Sequence, residues 1–364
     1  MTIKSDGSPR PTLAFSEIAS EFGNPIDNKL GNYRNTTSKS GGWDLGNLPF
    51  DSGIPTSGAI KFSDFYGKQL NVVVKCYGNT SVCPDYHVNA KSQWDNDQIV
   101  VVGERRTKKI DGSKVIIHVN KEIGSQPGGY GSNAAAKETE RGKCALRTGT
   151  GWSYTSSMQI DLGDSARLRG AGGQGGKGNI PSSGSVPEVC NGREGTSALG
   201  IQHGSSVVKT VINVNSSAVI RAGYGGGGGG GGAYNHEGKG KGGHPYPGGG
   251  GGGGAGWPVG AGGAKGGGVF GDGADAEAGS AGTKTAGGAG GDPGNSGAKK
   301  GGDGGDASGN SQSGANGSGS AGQSSGGSGG GNGTALRSTG ASNTYTLNNN
   351  GTMTGGTKNS GDVS

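Results

Sequence analysis

Short apolar runs alternate along this chain with polar and glycine-rich stretches, and three such runs lie close together between residues 70 and 123. Each run is rich in β-branched residues, which are typical of strands. The runs cover residues 70–76, 99–106 and 114–120. Asp111 and Gly112 separate the last two runs, and both residue types tolerate the positive φ of a tight hairpin turn. The pattern predicts a small antiparallel β-domain.

Residues 1–69 contain one helical signal within an otherwise irregular stretch. Four apolar residues recur there at helical spacing: Phe15, Ile18, Ala19 and Phe22. Gly23, Asn24 and Pro25 follow them and end the predicted helix. The remainder of the stretch has too few apolar residues to form a core of its own. We therefore expect an arm that docks on another surface.

Three twelve-residue segments, which begin at Ile160, Ile212 and Tyr345, align with one another without gaps. Apolar residues recur at positions one, three and nine of this alignment, and positions four to six are turn formers. A small residue occupies position seven of each copy: Ala166, Ala218 and Gly351. The pattern predicts three β-hairpins, each with one face against a core. Because the copies flank glycine tracts, we expect those tracts to begin and end on one β-layer.

Glycine supplies 88 of the 364 residues, while hydrophobic residues supply only 28%. An apolar core can therefore order only part of the chain. One alternative for the remainder is a flexible linker. The other is a bundle of polyglycine II helices, which have three residues per turn and direct their amides toward neighbouring helices. The bundle is favoured by the three-residue spacing of Gly288, Gly291, Gly294 and Gly297, and by the aromatic residues inserted in the tract.

These patterns together predict a mainly β fold, in which a docking arm and an antiparallel β-domain precede β-hairpin repeats that carry a polyglycine II bundle. The predicted parts are an attachment arm (1–69), an antiparallel β-domain (70–123), a β-rich domain with loops (124–220), a glycine-rich bundle with loops (221–335) and returning C-terminal strands (336–364).

The charge pattern and the motifs favour a binding or structural protein over an enzyme. The formal net charge is +6, but acidic residues are interleaved with basic ones, as where Glu104 and Asp111 flank a basic cluster. A nucleic-acid groove would be more one-sided. The sequence contains no G-x-x-x-x-G-K-[ST] motif and no local signature of a catalytic nucleophile with its base. We expect no catalytic activity, no cofactor and no nucleic-acid partner.

Metal binding and disulfide bonding have little support in the sequence. His236 and His244 lie eight residues apart without further ligands nearby, and the G-G-D-G-G-D sequence at 301–306 occurs once. We therefore expect no metal site. Ordinary thiols are expected for the four cysteines, with a Cys76–Cys83 bridge as the alternative. The cysteines are Cys76, Cys83, Cys144 and Cys190.

Two sequence features resemble proteins of tailed bacteriophages. Glycine tracts that follow strands such as I-N-V-N-S-S-A-V-I-R-A-G, from Ile212, resemble the distal tail-fibre adhesins of T-even-type phages. This resemblance covers about residues 158–364. It implies a sandwich of polyglycine II helices whose tip loops bind outer-membrane proteins or lipopolysaccharide. Separately, S-G-A-I-K-F-S-D-F-Y-G-K at 57–68 resembles a motif near the N-termini of tailed-phage structural proteins, marine phages especially.

Aromatic residues that interrupt the glycine runs are the candidate receptor-binding residues. The pure runs at 225–232 and 248–254 offer no side-chain chemistry of their own. Five rings lie close to them: Tyr234, His236, His244, Tyr246 and Trp257. Rings on loops stack on sugars and fill protein pockets at a low entropy cost. The alternative is that these rings cap the ends of the bundle as a small core.

The resemblance implies a tail-fibre adhesin in the virion, with other fibre or baseplate proteins bound through the N-terminal region and a bacterial receptor bound through the glycine-region loops. The polar N-terminus has no signal-peptide core, and no apolar stretch reaches the ~18 residues of a membrane span. We therefore expect synthesis in the host cytoplasm and no membrane insertion. The alternatives are a purely structural tail or baseplate component, and a glycine-rich ice-binding or cell-wall protein outside phages.

Overall fold

The structure is a computed structural model. It describes residues 3–5, 7, 11–22, 29–33, 54–55, 57–68, 71–76, 88–90, 92, 100–101, 114–151, 158–180, 186–202, 210–235, 244–267, 276–294, 298–308, 324–340, 345–359 and 361–364.

Short strands separated by turns make up much of the described chain. In chain order they are β1 (Asn71–Cys76), β2 (Val88–Asn89), β3 (Val100–Val101), β4 (Lys114–Val119), β5 (Glu122–Gly124), β6 (Cys144–Arg147), β7 (Met158–Leu162), β8 (Arg167–Arg169), β9 (Ser197–Ile201), β10 (Thr210–Val214), β11 (Val219–Arg221), β12 (Ala233–Asn235), β13 (His244–Tyr246), β14 (Leu336–Ser338), β15 (Tyr345–Asn349), β16 (Thr352–Thr354) and β17 (Thr357–Lys358). Helices α1 (Phe15–Phe22) and α2 (Ala134–Gly142) accompany them, with 3-10 turns at Leu30–Tyr33, Phe62–Phe65 and Glu188–Cys190.

Parallel pairing arranges most of these strands in three sheets. The first sheet has the order β15-β10-β7-β4-β1-β3, the second β16-β11-β8-β5 and the third β17-β14-β9-β6-β2. Successive strands of the chain visit the three sheets in turn, as β7, β8 and β9 do, and the next coil repeats the order with β10, β11 and β14. We call this three-sided parallel solenoid the β-stack.

The interior of the β-stack consists of columns of equivalent apolar side chains. In the first sheet, Ile160 is in register with Ile117 on one side and Ile212 on the other, and all three are fully buried. Equivalent columns run through the second and third sheets: Ile123, Leu168, Ile220 and Met353, and Leu146, Leu199 and Leu336. Alternation of buried and partly exposed residues along β7 and β10 directs one face of each strand inward.

The predicted fold was wrong in the direction in which the strands pair. The two strands of each repeat do not form an antiparallel hairpin. β7 and β8 belong to different sheets, and each pairs in parallel with its equivalent in the neighbouring coil. The turn at Asp164 and Ser165 rounds a corner of the solenoid instead of reversing the chain. Alternation and turn chemistry are the same in both arrangements, so neither distinguishes them.

The predicted antiparallel domain at 70–123 was also wrong. β4 pairs in parallel with β1 on one side and with β7 on the other, so it continues the same solenoid. β3 pairs antiparallel with β1, not with β4. Asp111 and Gly112, the predicted hairpin turn, lie outside the described residues.

The gapless alignment is correct for two copies and shifted in the third. Ile160 pairs with Ile212 as aligned, but Tyr345 pairs with Thr210, and Leu347 pairs with Ile212. The last coil is therefore two residues shorter between its first two strands. The coil of Ile117 and Ile123 has the same shorter spacing, which is why a gapless comparison missed it.

The N-terminal region packs into the core of the β-stack. The helix predicted from Phe15 to Phe22 is confirmed as α1. The arm contributes five buried side chains to the same apolar cluster as the strands: Ile3, Leu13, Ile18, Ile54 and Phe65. The Ile3 amide donates to the Lys68 carbonyl, three residues before β1. The described part of this region is therefore integrated with the β-stack.

Glycine-rich insertions leave the β-stack between its second and third sheets. The described insertion segments are g1 (170–179), g2 (189–196), g3 (222–232), g4 (247–257), g5 (258–267), g6 (276–283), g7 (286–294), g8 (298–306) and g9 (324–335). Segments g1 and g2 lie between β8 and β9, and g3 to g9 lie between β11 and β14. We call these segments the glycine array.

Candidate functional site

Segment g4 lies at the centre of the glycine array. Its amides donate to three neighbours in rotation: Gly249 to g8, Gly250 to g6 and Gly251 to g1, and the order repeats from Gly252 to Gly254. The six bonds measure 2.8–3.0 Å. Its carbonyls accept from three further segments, g3, g5 and g7. Six hydrogen-bonded neighbours and a three-residue period are the packing that a polyglycine II helix permits.

Backbone contact explains why g4 contains almost only glycine. A Cβ atom on Gly252 would lie 1.9 Å from the carbonyl oxygen of Gly288. A Cβ on Gly251 would lie 2.1 Å from the carbonyl oxygen of Gly227. The obstructing atoms belong to backbones that are themselves hydrogen-bonded, so they have no rotamer by which to move aside. Any larger residue in the interior would force segments apart.

The array has two ends: g1 to g8 run alternately away from the β-stack and back, and g9 runs in the same direction as g8. We call the end beside the β-stack the base and the opposite end the tip. At the tip, the Asn179 amide donates to Gly230, Gly248 donates to Asn179, and Lys299 donates to Gly231. The chain therefore passes between segments at the tip four times: g1 to g2, g3 to g4, g5 to g6 and g7 to g8. These connections cover residues 180–188, 233–246, 268–275 and 295–297.

Three of the five predicted receptor-binding residues lie together at the tip. β12 pairs antiparallel with β13, which brings Tyr234, His244 and Tyr246 onto two adjacent strands of the g3–g4 connection. Tyr246 is half-buried. His236 follows β12 in the sequence and lies outside the described residues. Whether these residues bind a receptor stays a prediction.

Trp257, the fifth predicted residue, lies at the base. Its amide donates to the Gly170 carbonyl over 2.8 Å, and its own carbonyl accepts from the Ser125 amide over 3.1 Å. The ring covers Gly124 of β5, where an added Cβ would meet ring atom Cδ1 at 2.7 Å. The residue is 38% exposed. These contacts attach g4 to the β-stack, so Trp257 has a structural role at the base.

The tip and base are too far apart for the five residues to form one site. Tyr246 and Trp257 are separated by eleven residues along g4, and a three-residue helix rises ~3.1 Å per residue. Their backbones are therefore roughly 30 Å apart. A receptor contact at the tip would leave Trp257 uninvolved unless the ligand were very long.

A charge cluster beside Trp257 fixes the base of the array. Glu122 of β5 accepts from Arg169 at 2.8 Å and from Lys284 at 2.5 Å. The Lys284 ammonium lies 4.2 Å from the centroid of the Trp257 ring, a cation–π geometry. Arg169 and Arg221 both donate to the Lys284 carbonyl at 3.5 Å. Burial lowers the pKa of the Arg169 guanidinium, which Glu122 opposes. These contacts tie the g6–g7 turn to the second sheet.

Two exposed apolar residues at the tip were not predicted from the sequence. Ile180 and Val189 are each 48% exposed. They flank the g1–g2 connection, and the Val189 carbonyl accepts from the Lys177 amide over 2.8 Å. The signal that could have identified them is their position beside Pro181 and near Pro187.

A second ionic contact joins helix α2 to the array. Arg141 pairs with Glu194 of g2 at 2.6 Å, and the Gly331 amide of g9 donates to the same carboxylate at 2.8 Å. Glu194 is nearly fully buried. One carboxylate therefore links the helix to two array segments.

Cys144 and Cys190 are buried and form no disulfide. The Cys144 thiol donates to the Gly142 carbonyl, and burial raises its pKa to about 12. Burial also raises the pKa of Cys190. Cys83 lies outside the described residues, so the possible Cys76–Cys83 bridge stays untested. Within the described ranges, no cluster of three or more His, Cys, Asp or Glu side chains is arranged to hold a metal ion.

Helices of the described chain are all too short or too polar to cross a membrane. Comparisons of the sequence with models of known protein families and with curated proteins, and of the structure with solved structures, find no match. A proposal about function therefore depends on the geometry of the glycine array and on the resemblance to phage tail-fibre adhesins.

Proposed function

We propose that this chain is a receptor-binding adhesin of a phage tail fibre, and that the tip of the glycine array contacts the bacterial surface. The observation that supports this most is the gathering of four chain connections at one end of a backbone-bonded scaffold. Loops on a rigid scaffold are common carriers of binding function. The resemblance to T-even-type adhesins independently leads to the same expectation.

The chemistry of the tip suits recognition of a protein loop or a glycan. The g3–g4 connection supplies two tyrosines and two histidines, and the g1–g2 connection supplies Ile180 and Val189 at its ends. Tyrosine gives a large contact area for little lost rotamer entropy. Exposed apolar side chains beside it add desolvation on binding. In this proposal Tyr234, His236, His244 and Tyr246 bind the receptor, and Trp257 holds the array in place.

Attachment to other tail proteins is assigned in this proposal to the N-terminal region. The described part of that region buries one face in the core, so its other face is available. Phe62 is 40% exposed beside the buried Phe65, and its ring meets Phe15 edge-on with centroids 6.4 Å apart. An exposed phenylalanine on an ordered turn is a suitable anchor for a partner protein.

Competition for adsorption tests the proposal. Purified full-length chain is mixed with host bacteria before the phage that carries it is added, and free phage is counted. We expect saturable inhibition by the native chain. A variant with Tyr234→Ala and Tyr246→Ala should lose it, because truncating an anchoring ring costs ~2 kcal/mol or more, or about thirtyfold in affinity.

Trp257→Ala is the matched control, since it removes a ring from the same glycine region but at the base. It should lower thermal stability while keeping competition at temperatures where the variant is folded. A native chain that never competes, although it is present in the virion, would favour the purely structural alternative. Competition that survives the double tyrosine variant would move the site elsewhere.

A further inference from the structure

The last coil of the β-stack leaves one edge of all three sheets unpaired. β15, β16 and β17 are the terminal strands of the three sheets, and within the described part of the chain no strand pairs with their outer edges. Backbone bonds of this coil point inward: the Asn350 amide donates to Val214, and Thr352 donates to Ala218. We call these three strands the terminal edge. Their outward N–H and C=O groups form a template for further pairing.

The opposite end of the β-stack is extended in its first sheet. Lys68 lies three residues before β1, and its carbonyl accepts from the Ile3 amide over 3.0 Å. The buried side chains of the N-terminal region belong to the apolar cluster of the β-stack, and β3 adds an antiparallel strand outside β1. Solenoids require a polar cap at each end to stay soluble as single copies. Within the described residues, no such cap covers the terminal edge.

The terminal edge lacks the charges that keep edge strands apart. No Asp, Glu, Lys or Arg occurs between residues 345 and 357. Lys358 follows, but its ammonium is paired with Glu138 at 2.7 Å. Natural edge strands are usually protected by charges, by proline or by a covering element. Within the described residues, β15 and β16 have none of these, and such an edge is suited to pairing.

Side chains of the terminal edge are also incompletely buried. Leu347 and Met353 continue two core columns, yet both remain partly exposed, unlike their fully buried equivalents Ile212 and Ile220. An amide ladder reaches the same edge: Asn213 donates to Asp161 at 2.7 Å, and Asn348 donates to Asn213 at 2.8 Å. One more strand would bury both apolar residues and continue the ladder.

We propose that the terminal edge pairs with the terminal edge of a second copy of this chain, giving a closed end-to-end dimer. An edge strand that meets its own copy antiparallel about a twofold axis is self-complementary. Because the twofold pairing uses the terminal edge of both copies, the assembly stops at two copies. β15 and β16 carry no charged side chain, so they present no like-charge repulsion to their copies.

Light scattering coupled to size-exclusion chromatography tests this inference on the full-length chain. We expect twice the mass of one chain at micromolar concentration. Asn348→Lys with Thr352→Lys places four positive charges across the twofold axis, and should weaken dimerisation by roughly a hundredfold or more. Ser216→Lys with Ser217→Lys, in the exposed β10–β11 turn, is the matched control and should remain dimeric.

Thermal unfolding of both variants at low concentration separates a broken interface from a misfolded chain, because the edge residues are exposed in one copy. A native chain that is monomeric at every concentration tested would overturn the inference. So would a folded Asn348→Lys, Thr352→Lys variant that stays dimeric. Masses above two copies would contradict the closed arrangement. None of these results depends on receptor binding, so the inference stands or falls separately from the proposed function.

Discussion

The β-stack and the glycine array are held together by opposite means. In the β-stack, columns such as Ile117, Ile160 and Ile212 bury side chains, and the backbone bonds run between equivalent strands. In the array, backbone bonds run to as many as six neighbours, and at central positions such as Gly251 and Gly252 no space remains for a side chain. The comparison shows that close packing can be reached with side chains or without them. The two solutions should therefore fail under different substitutions.

Adding one methyl group to the centre of the array should have the largest effect. Gly252→Ala places a Cβ 1.9 Å from the Gly288 oxygen. Overpacking costs ~1–3 kcal/mol, and each hydrogen bond lost as segments separate costs ~1 kcal/mol, so we expect about 4 kcal/mol of destabilisation. Chemical denaturation measures it. Gly267→Ala is the control, because no atom lies within 4 Å of its Cβ position. Equal stability of the two variants would contradict the packing.

Removing methyl groups from the β-stack should cost slightly less. Ile212→Ala empties a fully buried position between two neighbouring coils, with an expected loss of about 3 kcal/mol. Leu347→Ala makes a comparable change in the same column at the partly exposed last coil, and should cost about half as much. Both are read from denaturation midpoints at a protein concentration that favours single copies. A larger loss at Leu347 would mean that its side chain is more deeply buried than Ile212.

Removing the ionic contacts of the third sheet should have an intermediate effect on the free energy of unfolding, and this effect should depend on pH. Glu138 accepts from Lys358 and from the buried Arg337. Burial raises the pKa of Glu138, but Lys358 and Arg337 lower it further, so the folded value lies below 4.5. Its contribution is present above pH 4.5 and is lost as pH falls through the folded pKa. Glu138→Gln should cost about 2 kcal/mol at pH 7 and less at pH 3.

Denaturation at both pH values measures the difference, with Glu277→Gln as a control in the array. Glu277 is exposed, and its pairing with neighbouring segments uses backbone atoms. A pH-independent difference between Glu138→Gln and the native chain would show that the carboxylate does not stabilise the fold by its charge.

Thiol labelling should reveal the smallest difference between the two regions. It compares them directly, because each contains one buried cysteine. Cys144 lies in β6 of the β-stack, and Cys190 lies in g2 at the tip of the array. The pKa of Cys144 rises from 9.0 to about 12, which leaves about a thousandfold less thiolate at pH 8. Alkylation of the folded chain should therefore be negligible at Cys144. Under mild denaturant we expect Cys190 to react first, as mass spectrometry of each peptide would reveal. Simultaneous reaction would indicate one cooperative unit.

Sequence reasoning located the strands better than it located their partners. The repeat found at Ile160 and Ile212 corresponds to paired strands, since both copies present the same faces to the same core. The direction of strand pairing was not predicted correctly, because the alternation of apolar and polar residues depends on burial and not on which strand is the neighbour. The two-residue shift at Tyr345 was invisible because a shorter corner still leaves apolar residues at most aligned positions.

For the candidate site, too, the sequence identified the residues better than it predicted which of them lie together. The rings were found because they interrupt pure glycine runs, and Tyr234, His244 and Tyr246 do lie together at the tip. Trp257 was grouped with them by its distance in sequence, although eleven residues of extended backbone carry it to the base. Sequence proximity is a poor guide to spatial proximity in segments that rise ~3 Å per residue.

The array leaves the β-stack and returns to it at nearly the same point. The Gly333 amide, near the end of the long insertion, donates to the carbonyl of Gly223, near its beginning, over 2.9 Å. The residues between them form one insertion, whose two ends are joined by this hydrogen bond. A recombination event could lengthen, shorten or exchange segment pairs within that insertion while its two ends stay joined. In the proposed adhesin, host range could therefore change by exchange of whole segments as well as by point substitution.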